Sequence, residues 1–561
     1  MQAKRANRRI RLLLAAFVLV FAATLARAVW LQGIRAQSLG RMATDQHTEK
    51  TVIPAARGTI YDRDGVRLAI GEQATTVYAD PRQVRQPALV ARAAQQALGA
   101  KTVNADELYP KLLDHRRRFV YVARKADPAA AAKLARRGLD GLGFYAEERR
   151  VYPLRSVAAP LLGYAGVDNK GIAGLEYGLD RVLRGRPGAQ TIVKDPFGRA
   201  LETISSTPER EGSDVFLTID HTIQAEAESV LRKTIQTWGG KNAVAIVLDP
   251  RTGEILAMAE APAYDANGFA KVKAATTKNR AVTDLYEPGS TFKLVTVSAA
   301  LSEGLVTPST TFVLPPSITV ADRVIHDAEQ RPTETMSVAR ILSHSSNVGA
   351  VTLARKLGKE RLAKWIERYG FGRPTGIDFP GESPGLVLPP DQWSGSTIGN
   401  VPIGQGIAVT PVQMASAYAM VANGGIWVQP HLVERAAGRR PAKPRKRRIL
   451  SRVVDAQIAA MLQNVVSGGT GTEAQIPGYR VAGKTGTAQK PDGRGGYSSN
   501  KYVASFVGFV PASKPRLVVL VKVDEPSRAI WGGTVAAPAF AEIARFCLQY
   551  LEIPPDGGAR G

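Results

Sequence analysis

Cysteine is almost absent from these 561 residues: Cys547 stands alone. A single thiol excludes an internal disulfide and any multi-cysteine zinc site. Histidine is nearly as scarce. His47, His115, His221, His326, His344 and His431 show neither HxxxH nor HExxH spacing, so the two-histidine motif of zinc hydrolases is missing. Acidic residues are outnumbered, 49 against 74 basic ones, and the net charge of +25 suits a nucleic acid, an anionic membrane surface or a polyanionic wall as partner. No zinc-finger, helix-turn-helix or RNP pattern accompanies the charge, so no nucleic-acid partner is expected. Part of the charge lies in local runs: Lys4 to Arg11, Arg116 to Arg118, and eight basic residues between Arg435 and Arg448. The last run contains Pro441 and Pro444 and reads as a solvated loop.

A chain of this length exceeds what one hydrophobic core sustains and suggests three or four compact units. A sustained apolar run stands at its beginning. Leu12 to Ala26 carries no charge, and Leu12 to Gln32 spans a bilayer if Arg27 snorkels to the interface, which would also suit Trp30. The basic cluster before the run leaves the N-terminus in the cytoplasm and sends the remainder outside. Ala26-Arg27-Ala28 has the form of a signal-peptidase site, but its central arginine and the large apolar residues after it favour an uncleaved anchor.

What the chain does contain is three polar signatures in order: Ser290-Thr291-Phe292-Lys293, Ser345-Ser346-Asn347, and Lys484-Thr485-Gly486-Thr487. Pro288-Gly289 breaks the chain before Ser290, and the apolar run Thr291 to Leu301 tolerates a helix, so the hydroxyl sits at a helix N-terminus where free N–H groups favour developing negative charge. Lys293 lies one turn on and reaches that hydroxyl. It acts as a base only when uncharged; burial and a second cation, for which Lys484 is the candidate, both lower its pKa. Ser345 and Asn347 occupy a polar knot between two helical segments. Gly486 lets a substrate approach the strand backbone, the threonine hydroxyls and the Lys484 ammonium suit a carboxylate, and the Thr487 N–H joins that of Ser290 as an oxyanion hole. An edge strand so built accepts a peptide by strand addition. Together these groups supply what acyl transfer through a serine ester requires. His344, beside Ser345, reads as a structural neighbour rather than a base.

Gly478 to Thr485 also satisfies the Walker A pattern, which requires a helix starting at the lysine; Pro491, Gly493, Gly495 and Gly496 argue against one. Elsewhere, Asp220 is placed to cap a helix reaching about residue 236. Ala243 to Leu248 with Glu254 to Ala259, and Val503 to Val510 with Leu517 to Val523, read as two hairpins enclosing a helix-rich middle, hence an antiparallel sheet with helices packed on it. Arg57 to Gly65 reads as a hairpin turning at Asp64-Gly65 and carrying a structural ion-pair cluster.

The ordered triplet marks penicillin-binding proteins and serine β-lactamases, with Ser346 standing where others carry aspartate. The chain resembles the class B penicillin-binding proteins, and among them the cell-division (FtsI) type. Arg57, Gly58, Asp62, Arg63 and Gly65 match the RGxxxDRxG signature that opens their pedestal domain. Arg150-Val151-Tyr152-Pro153, Gly171 to Glu176 with Gly174, Gly404-Gln405-Gly406 and Trp531-Gly532-Gly533 match further segments. The resemblance implies an α+β protein: residues 1–11 a cytoplasmic tail, 12–32 a single transmembrane helix, 33–205 an elongated, mostly β pedestal of the dimerisation type that performs no chemistry, and 206–214 a hinge. Residues 215–552 would form the transpeptidase domain, a five-stranded antiparallel sheet with helices on both faces, and 553–561 a flexible tail.

The same resemblance implies the roles. Ser290 is the nucleophile, Lys293 the general base, Ser345 the proton relay to the leaving amine, Asn347 the holder of the substrate amide, and Lys484 an electrostatic and relay group. Thr485, Gly486 and Thr487 hold the carboxylate and oxyanion. Substrates would be lipid-linked and nascent peptidoglycan stem peptides, with β-lactams acylating the same serine and no cofactor or metal needed. Partners would be a membrane glycosyltransferase and other division proteins, and the place the bacterial cytoplasmic membrane, single-pass, with the catalytic domain periplasmic and serving the septum. An elongation-type transpeptidase, a β-lactam-sensing or β-lactamase-like protein, and an inactive division scaffold stand as alternatives. The pedestal argues against the second, and intact Ser290, Lys293, Asn347 and Lys484 against the third.

Overall fold

The computed structural model describes residues 2–35, 48–194, 200–493 and 496–557, and the chain divides into two compact units. One comprises Met1–Ala56 with Gly185–Glu211. It begins with the helix Gln2–Val29, which runs on through a π-helical turn, Trp30–Ile34. Ala6–Ile34 is 29 residues and contains an 18-residue stretch with a mean hydropathy of 2.4, long and apolar enough to cross a membrane. Helix of that length rises about 43 Å, more than the ~30 Å of a hydrocarbon core. Arg27 lays its guanidinium 4.7 Å from the Trp30 ring centre and Arg35 lies at 4.3 Å, so one aromatic quadrupole faces both charges at the end of the apolar stretch. The unit also holds a three-stranded antiparallel sheet with Gly188–Lys194 between Thr48–Ile53 and Ala200–Thr207. Ser206 and Thr207, expected to open a hinge, instead close that last strand, because their backbone pairs with Gln190 and Ala189.

The second unit comprises Arg57–Arg184 and Gly212–Gly561. Strands Ile60–Tyr61 and Arg67–Ala79 form the hairpin expected around Asp64-Gly65, and Arg67–Ala79 pairs in turn with Val120–Ala126 and Leu142–Val151. This sheet does not stop at the end of the pedestal segment. Val215–Leu217 adds parallel to Ile60–Tyr61, and Val433–Ala436 adds to Val215–Leu217. One apolar cluster therefore contains Ile60, Tyr152, Leu161 and Leu175 together with Ile246, Phe292 and Ile341. A second, smaller core packs the helices Pro87–Leu98, Ala105–Leu113 and Pro128–Ala135 on the sheet through Val90, Leu112, Leu134 and Val77.

The charged residues of Arg57 to Gly65 form the ion-pair cluster expected of them. Arg57 donates to Glu176 at 2.7 Å and to Asp180 at 2.7 Å, Arg150 donates to Glu176 at 2.6 Å and to the Gly58 carbonyl at 2.9 Å, and both Arg57 and Glu176 are fully buried side chains. Gly174 opens the short helix that carries Glu176. Asp62 closes its own turn by accepting the Asp64 and Val66 N–H groups and meets His221 Nδ1 at 2.6 Å, while Arg63 approaches Glu254 at 3.8 Å.

The remaining sheet is built from β1 (Asn242–Leu248), β2 (Ile255–Ala261), β3 (Ala482–Pro491), β4 (Tyr497–Val510) and β5 (Leu517–Asp524), in spatial order β2-β1-β5-β4-β3, every neighbour antiparallel. The helices that concern the site are α1 (His221–Trp238), α2 (Lys293–Ser302), α3 (Val338–Ser343), α4 (Asn347–Leu357), α5 (Lys359–Tyr369), α6 (Pro411–Ala422) and α7 (Ala537–Tyr550). Strand alternation divides the sheet's side chains: Ala243, Ala245 and Val247 face the layer holding Ile223 and Leu231 of α1 and Phe540 and Ile543 of α7, whereas Val244 and Ile246 face the layer holding Val295 of α2 and Tyr418 of α6. With both faces covered, the strands read as near-continuous apolar runs. Asp220 caps α1 by accepting the Thr222 and Ile223 N–H groups, and Thr410 with Gln413 forms a capping box on α6, whose residues are buried all round. Lys484 lies in β3 and starts no helix, which removes the phosphate-loop reading. The tail expected to be free from residue 553 is pinned as far as Asp556: the Ile553 carbonyl accepts the Tyr479 hydroxyl at 2.6 Å, and Asp556 accepts from Arg480 N and the Ser513 hydroxyl.

Candidate active site

The first signature enters the sheet's covered face through a turn that only glycine makes. Gly289 has φ +54°, and a Cβ there would stand 2.8 Å from the Thr487 carbonyl, so the backbone lies directly against β3. Gly289–Phe292 is a 3₁₀ turn that continues into α2, tighter than the plain helix start expected. Its shape is held by the Thr291 hydroxyl, which donates to Pro288 O at 2.8 Å, and by the Tyr418 hydroxyl, which donates to Thr291 O at 2.9 Å. Ser290 is half-buried, while Lys293 is completely enclosed.

Lys293 Nζ lies 3.0 Å from Ser290 Oγ, 2.5 Å from Ser345 O, 3.2 Å from Ser345 Oγ and 2.7 Å from Asn347 Oδ1. Burial pushes its amine down to about 7, against an opposing pull from the Asp327 carboxylate. Of the two causes expected, burial and the charge of Lys484, burial is the one that lowers Lys293; the repulsion between the two amines falls on Lys484, which burial and the Lys293 charge hold well below the ordinary lysine value.

The second signature sits in the sharp link between α3 and α4. Ser345 adopts φ +59°, turning its carbonyl and hydroxyl onto Lys293. Ser346 caps α4 by accepting the Gly349 N–H at 3.0 Å. Asn347 spends both ends of its amide inside the protein, Oδ1 on Lys293 and Nδ2 on the His326 carbonyl at 2.9 Å. His344 is exposed and contacts Ser343, not Ser290, in keeping with its reading as a neighbour.

One residue escaped the sequence reading. Asp327, at the end of the strand Arg323–His326, accepts the Ser346 hydroxyl at 2.9 Å, Asn347 N at 2.5 Å and Val348 N at 2.9 Å, and Arg331 holds it at 2.6 Å. The carboxylate beside Ser346 thus comes from outside the signature, from the residue that follows the strand Arg323–His326. The N-terminus of α4 favours that negative charge. No local pattern announces it; the one available hint is a lone acid at the end of an alternating segment.

The third signature lies on β3 at the sheet edge. Lys484 is fully buried and donates to Thr485 Oγ1 at 3.1 Å, and Thr485 meets Thr470 Oγ1 at 2.8 Å. Gly486 faces the serine turn: a Cβ there would stand 2.4 Å from Ser505 Oγ and 2.9 Å from Pro288 O. Thr487 is half-buried and its hydroxyl accepts the Gly532 N–H at 3.0 Å. Glu287 ties the serine turn to two further segments by accepting Gly406 N at 2.9 Å and the Tyr497 hydroxyl at 3.0 Å. Ser290, Lys293, Ser345 and Asn347 thus converge on one amine, β3 runs alongside, and the two buried lysines feel each other's charge. Arg57, Gly58, Asp62, Arg63, Gly65, Arg150, Gly174 and Glu176 lie apart from this cluster in the ion-pair network.

The comparisons agree with that geometry. Residues 243–545 match the penicillin-binding protein transpeptidase domain and residues 52–217 the penicillin-binding protein dimerisation domain. The chain is 34% identical to the Pseudomonas aeruginosa protein named probable peptidoglycan D,D-transpeptidase PbpC, over 99% of this chain and 97% of that one. It is 33% identical to the Escherichia coli peptidoglycan D,D-transpeptidase FtsI, over 99% and 93%. The crystal structure of Mycobacterium tuberculosis penicillin-binding protein 3 in complex with aztreonam superposes with a TM-score of 0.71 at 31% identity, over 90% of this chain and 98% of that one. With a transpeptidase domain over more than half its length, a dimerisation domain ahead of it and relatives of this identity along nearly all of it, the chain belongs to the class B penicillin-binding proteins.

Proposed function

We propose that this protein is a membrane-anchored peptidoglycan D,D-transpeptidase that cross-links stem peptides through an ester on Ser290. The observation that carries the reading is the environment of Lys293. A neutral amine has two N–H groups and one lone pair. Donating to Ser345 O and Asn347 Oδ1 uses both hydrogens and leaves the lone pair for the Ser290 hydroxyl, 3.0 Å away. A base near pH 7 is what a serine nucleophile needs under physiological conditions. The names of the relatives supply the substrate class.

In the reaction, Ser290 Oγ gives its proton to Lys293 and bonds to the carbonyl carbon of the penultimate D-Ala. The oxyanion is received by the N–H groups of Ser290 and Thr487, and the C–N bond breaks as the proton passes through Ser345 to the departing D-Ala. The amine of a second stem then displaces Ser290. Lys484, Thr485 and Thr487 take the substrate carboxylate, Gly486 lets the peptide lie along β3, and Asn347 holds its amide. Two buried amines this close share one proton more readily than they hold two. A carboxylate arriving at Lys484 draws that proton there and leaves Lys293 free as the base. Penicillins would acylate the same oxygen.

The N-terminal helix is assigned as a single-pass anchor in the cytoplasmic membrane, its flanking arginines inside and the catalytic domain in the periplasm, serving the septum beside a membrane glycosyltransferase and other division proteins. Labelling with penicillin and mass spectrometry of the penicilloyl peptide tests the chemistry: the adduct is expected on Ser290, and Ser290→Ala should abolish labelling while the melting temperature stays within a few degrees of wild type. An adduct elsewhere, or undiminished labelling of the variant, would overturn the mechanism.

A further inference from the structure

Part of the basic run that the acyl-transfer reading leaves without a task closes over a cavity of about 610 Å³ in the second compact unit. Its lining includes Tyr369 at the end of α5, Phe371 just past it, Trp427, Ser416 of α6, Arg445 and Arg447. None of Ser290, Lys293, Ser345, Asn347 or Lys484 lines it. The run is solvated, as expected of it: Arg445, Lys446, Arg447 and Arg448 are all exposed, yet the backbone of the last three is held in a strand. The strand Lys446–Arg448 pairs with Ile426–Val428 so that Arg447 stands opposite Trp427, its guanidinium 5.8 Å from the ring centre. Arg447 also donates to the Arg368 carbonyl at 2.9 Å, and Arg445 to Gln429 Oε1 at 3.0 Å.

Counter-charge is short. Glu367 is the one carboxylate among the lining residues, and Arg373 already engages it. Burial, together with the charges of Arg373, Arg368 and Arg445, holds the Arg447 guanidinium below the ordinary arginine value, a sign that like charges crowd here. Ser416 is 3% exposed and its hydroxyl has no partner among the described residues, which leaves a buried polar group unpaired.

We propose that this cavity binds a small phosphorylated molecule, the phosphate gripped by Arg445 and Arg447 and an apolar or ring-shaped body laid against Tyr369, Phe371 and Trp427. Forked guanidinium groups match phosphate oxygens two at a time. The surplus of Arg445, Lys446 and Arg447 over acid favours a dianion, which a phosphate monoester is and a single carboxylate is not. The volume suits one small organic ligand rather than a polymer or protein segment. Aromatic walls reward flat or aliphatic bodies. Soluble phosphate esters and phospholipid headgroups share this chemistry.

Calorimetric titration of the full chain in zwitterionic detergent tests it, with phenyl phosphate as the soluble probe, dihexanoyl phosphatidate as the lipid probe and phenol as the uncharged control. Saturable binding of at least one phosphate probe is expected, weakened at least about tenfold in Arg445→Gln/Arg447→Gln, less so in Arg447→Lys, which keeps the charge and loses the fork. The far-ultraviolet circular dichroism and melting temperature of the double variant should match wild type, which certifies its fold independently of the acyl-transfer reading, and its penicillin acylation should stay within about twofold of wild type. Tighter binding of phosphatidate assigns the headgroup source and tighter binding of phenyl phosphate the soluble one, and either supports the site. No saturation at millimolar probe, or equal binding by wild type and the acylation-competent variants, refutes it.

Discussion

At the scale of single residues, Lys293 decides how the enzyme responds to pH. Its pKa is lowered to about 7 by burial, so below that value the amine is protonated and cannot accept the Ser290 proton. The second-order rate of acylation by a fluorescent penicillin should therefore fall about tenfold for each pH unit below about 7 and level off above it. Asp327 acts on the same amine from outside the motifs. Its charge raises the Lys293 value, so Asp327→Asn should move the acidic limb to lower pH. Loosening the Ser346-Asn347 turn should also reduce the plateau about ten- to a hundredfold. A purely structural role would lower the plateau and leave the limb in place. The motifs made Ser290, Lys293, Ser345, Asn347 and Lys484 readable in the chain because each lies in a short block with fixed internal spacing. Asp327 was not readable, since a contact across 20 residues between a strand end and a helix N-terminus leaves no periodic trace. The cause of the Lys293 shift was not readable either: how fully a side chain is enclosed is decided by distant segments.

Elements place these residues relative to one another, and β3 lies close against the serine turn. A methyl group at 486 would meet Ser505 Oγ at 2.4 Å, Pro288 O at 2.9 Å and Thr291 Cγ2 at 3.0 Å. Gly486→Ala should push the strand from the turn, lowering stability by about 1–3 kcal/mol and slowing acylation at least about tenfold; thermal denaturation and stopped-flow labelling measure the two. The strands themselves were visible beforehand, because Val503 to Val510 and Leu517 to Val523 are runs apolar but for Ser505 and Lys522, separated by a turn that holds Pro511 and Pro515, and the helix after Asp220 was announced by its cap. Element ends were less visible. β4 starts at Tyr497, six residues before the apolar run, because its pairing with β3 extends past a bulge to Pro491 and Tyr497 and the Tyr497 hydroxyl donates to Glu287.

On the scale of the whole molecule, the segment from Arg57 to Arg184 packs into the same compact unit as the catalytic sheet. Charge cements its base: Arg57 and Arg150 share Glu176 in a fully enclosed network. Glu176→Gln removes the only formal negative charge that both arginines touch, and breaking a buried pair in this way costs about 3–5 kcal/mol. Denaturant unfolding should show that loss, and penicillin labelling should disappear at the same denaturant concentration as the far-ultraviolet signal, because Ile60, Tyr152, Ile246 and Phe292 belong to one core. Sequence reasoning located Arg57, Asp62 and Glu176 as structural but set a domain's edge near residue 205. The pairing of Val215–Leu217 with both Ile60–Tyr61 and Val433–Ala436 joins stretches far apart in the chain, which nothing local encodes.

The strand order β2-β1-β5-β4-β3 interleaves the ends of the catalytic region, since β1 lies against β5. A chain made N-terminus first thus holds a lone hairpin and a set of helices until its last strands emerge, and only then does the serine acquire a floor. Maturation of the reactive centre thus waits for the last strand, and truncation between Thr487 and Leu517 yields a polypeptide with every motif and without the strand that joins β1 to β4.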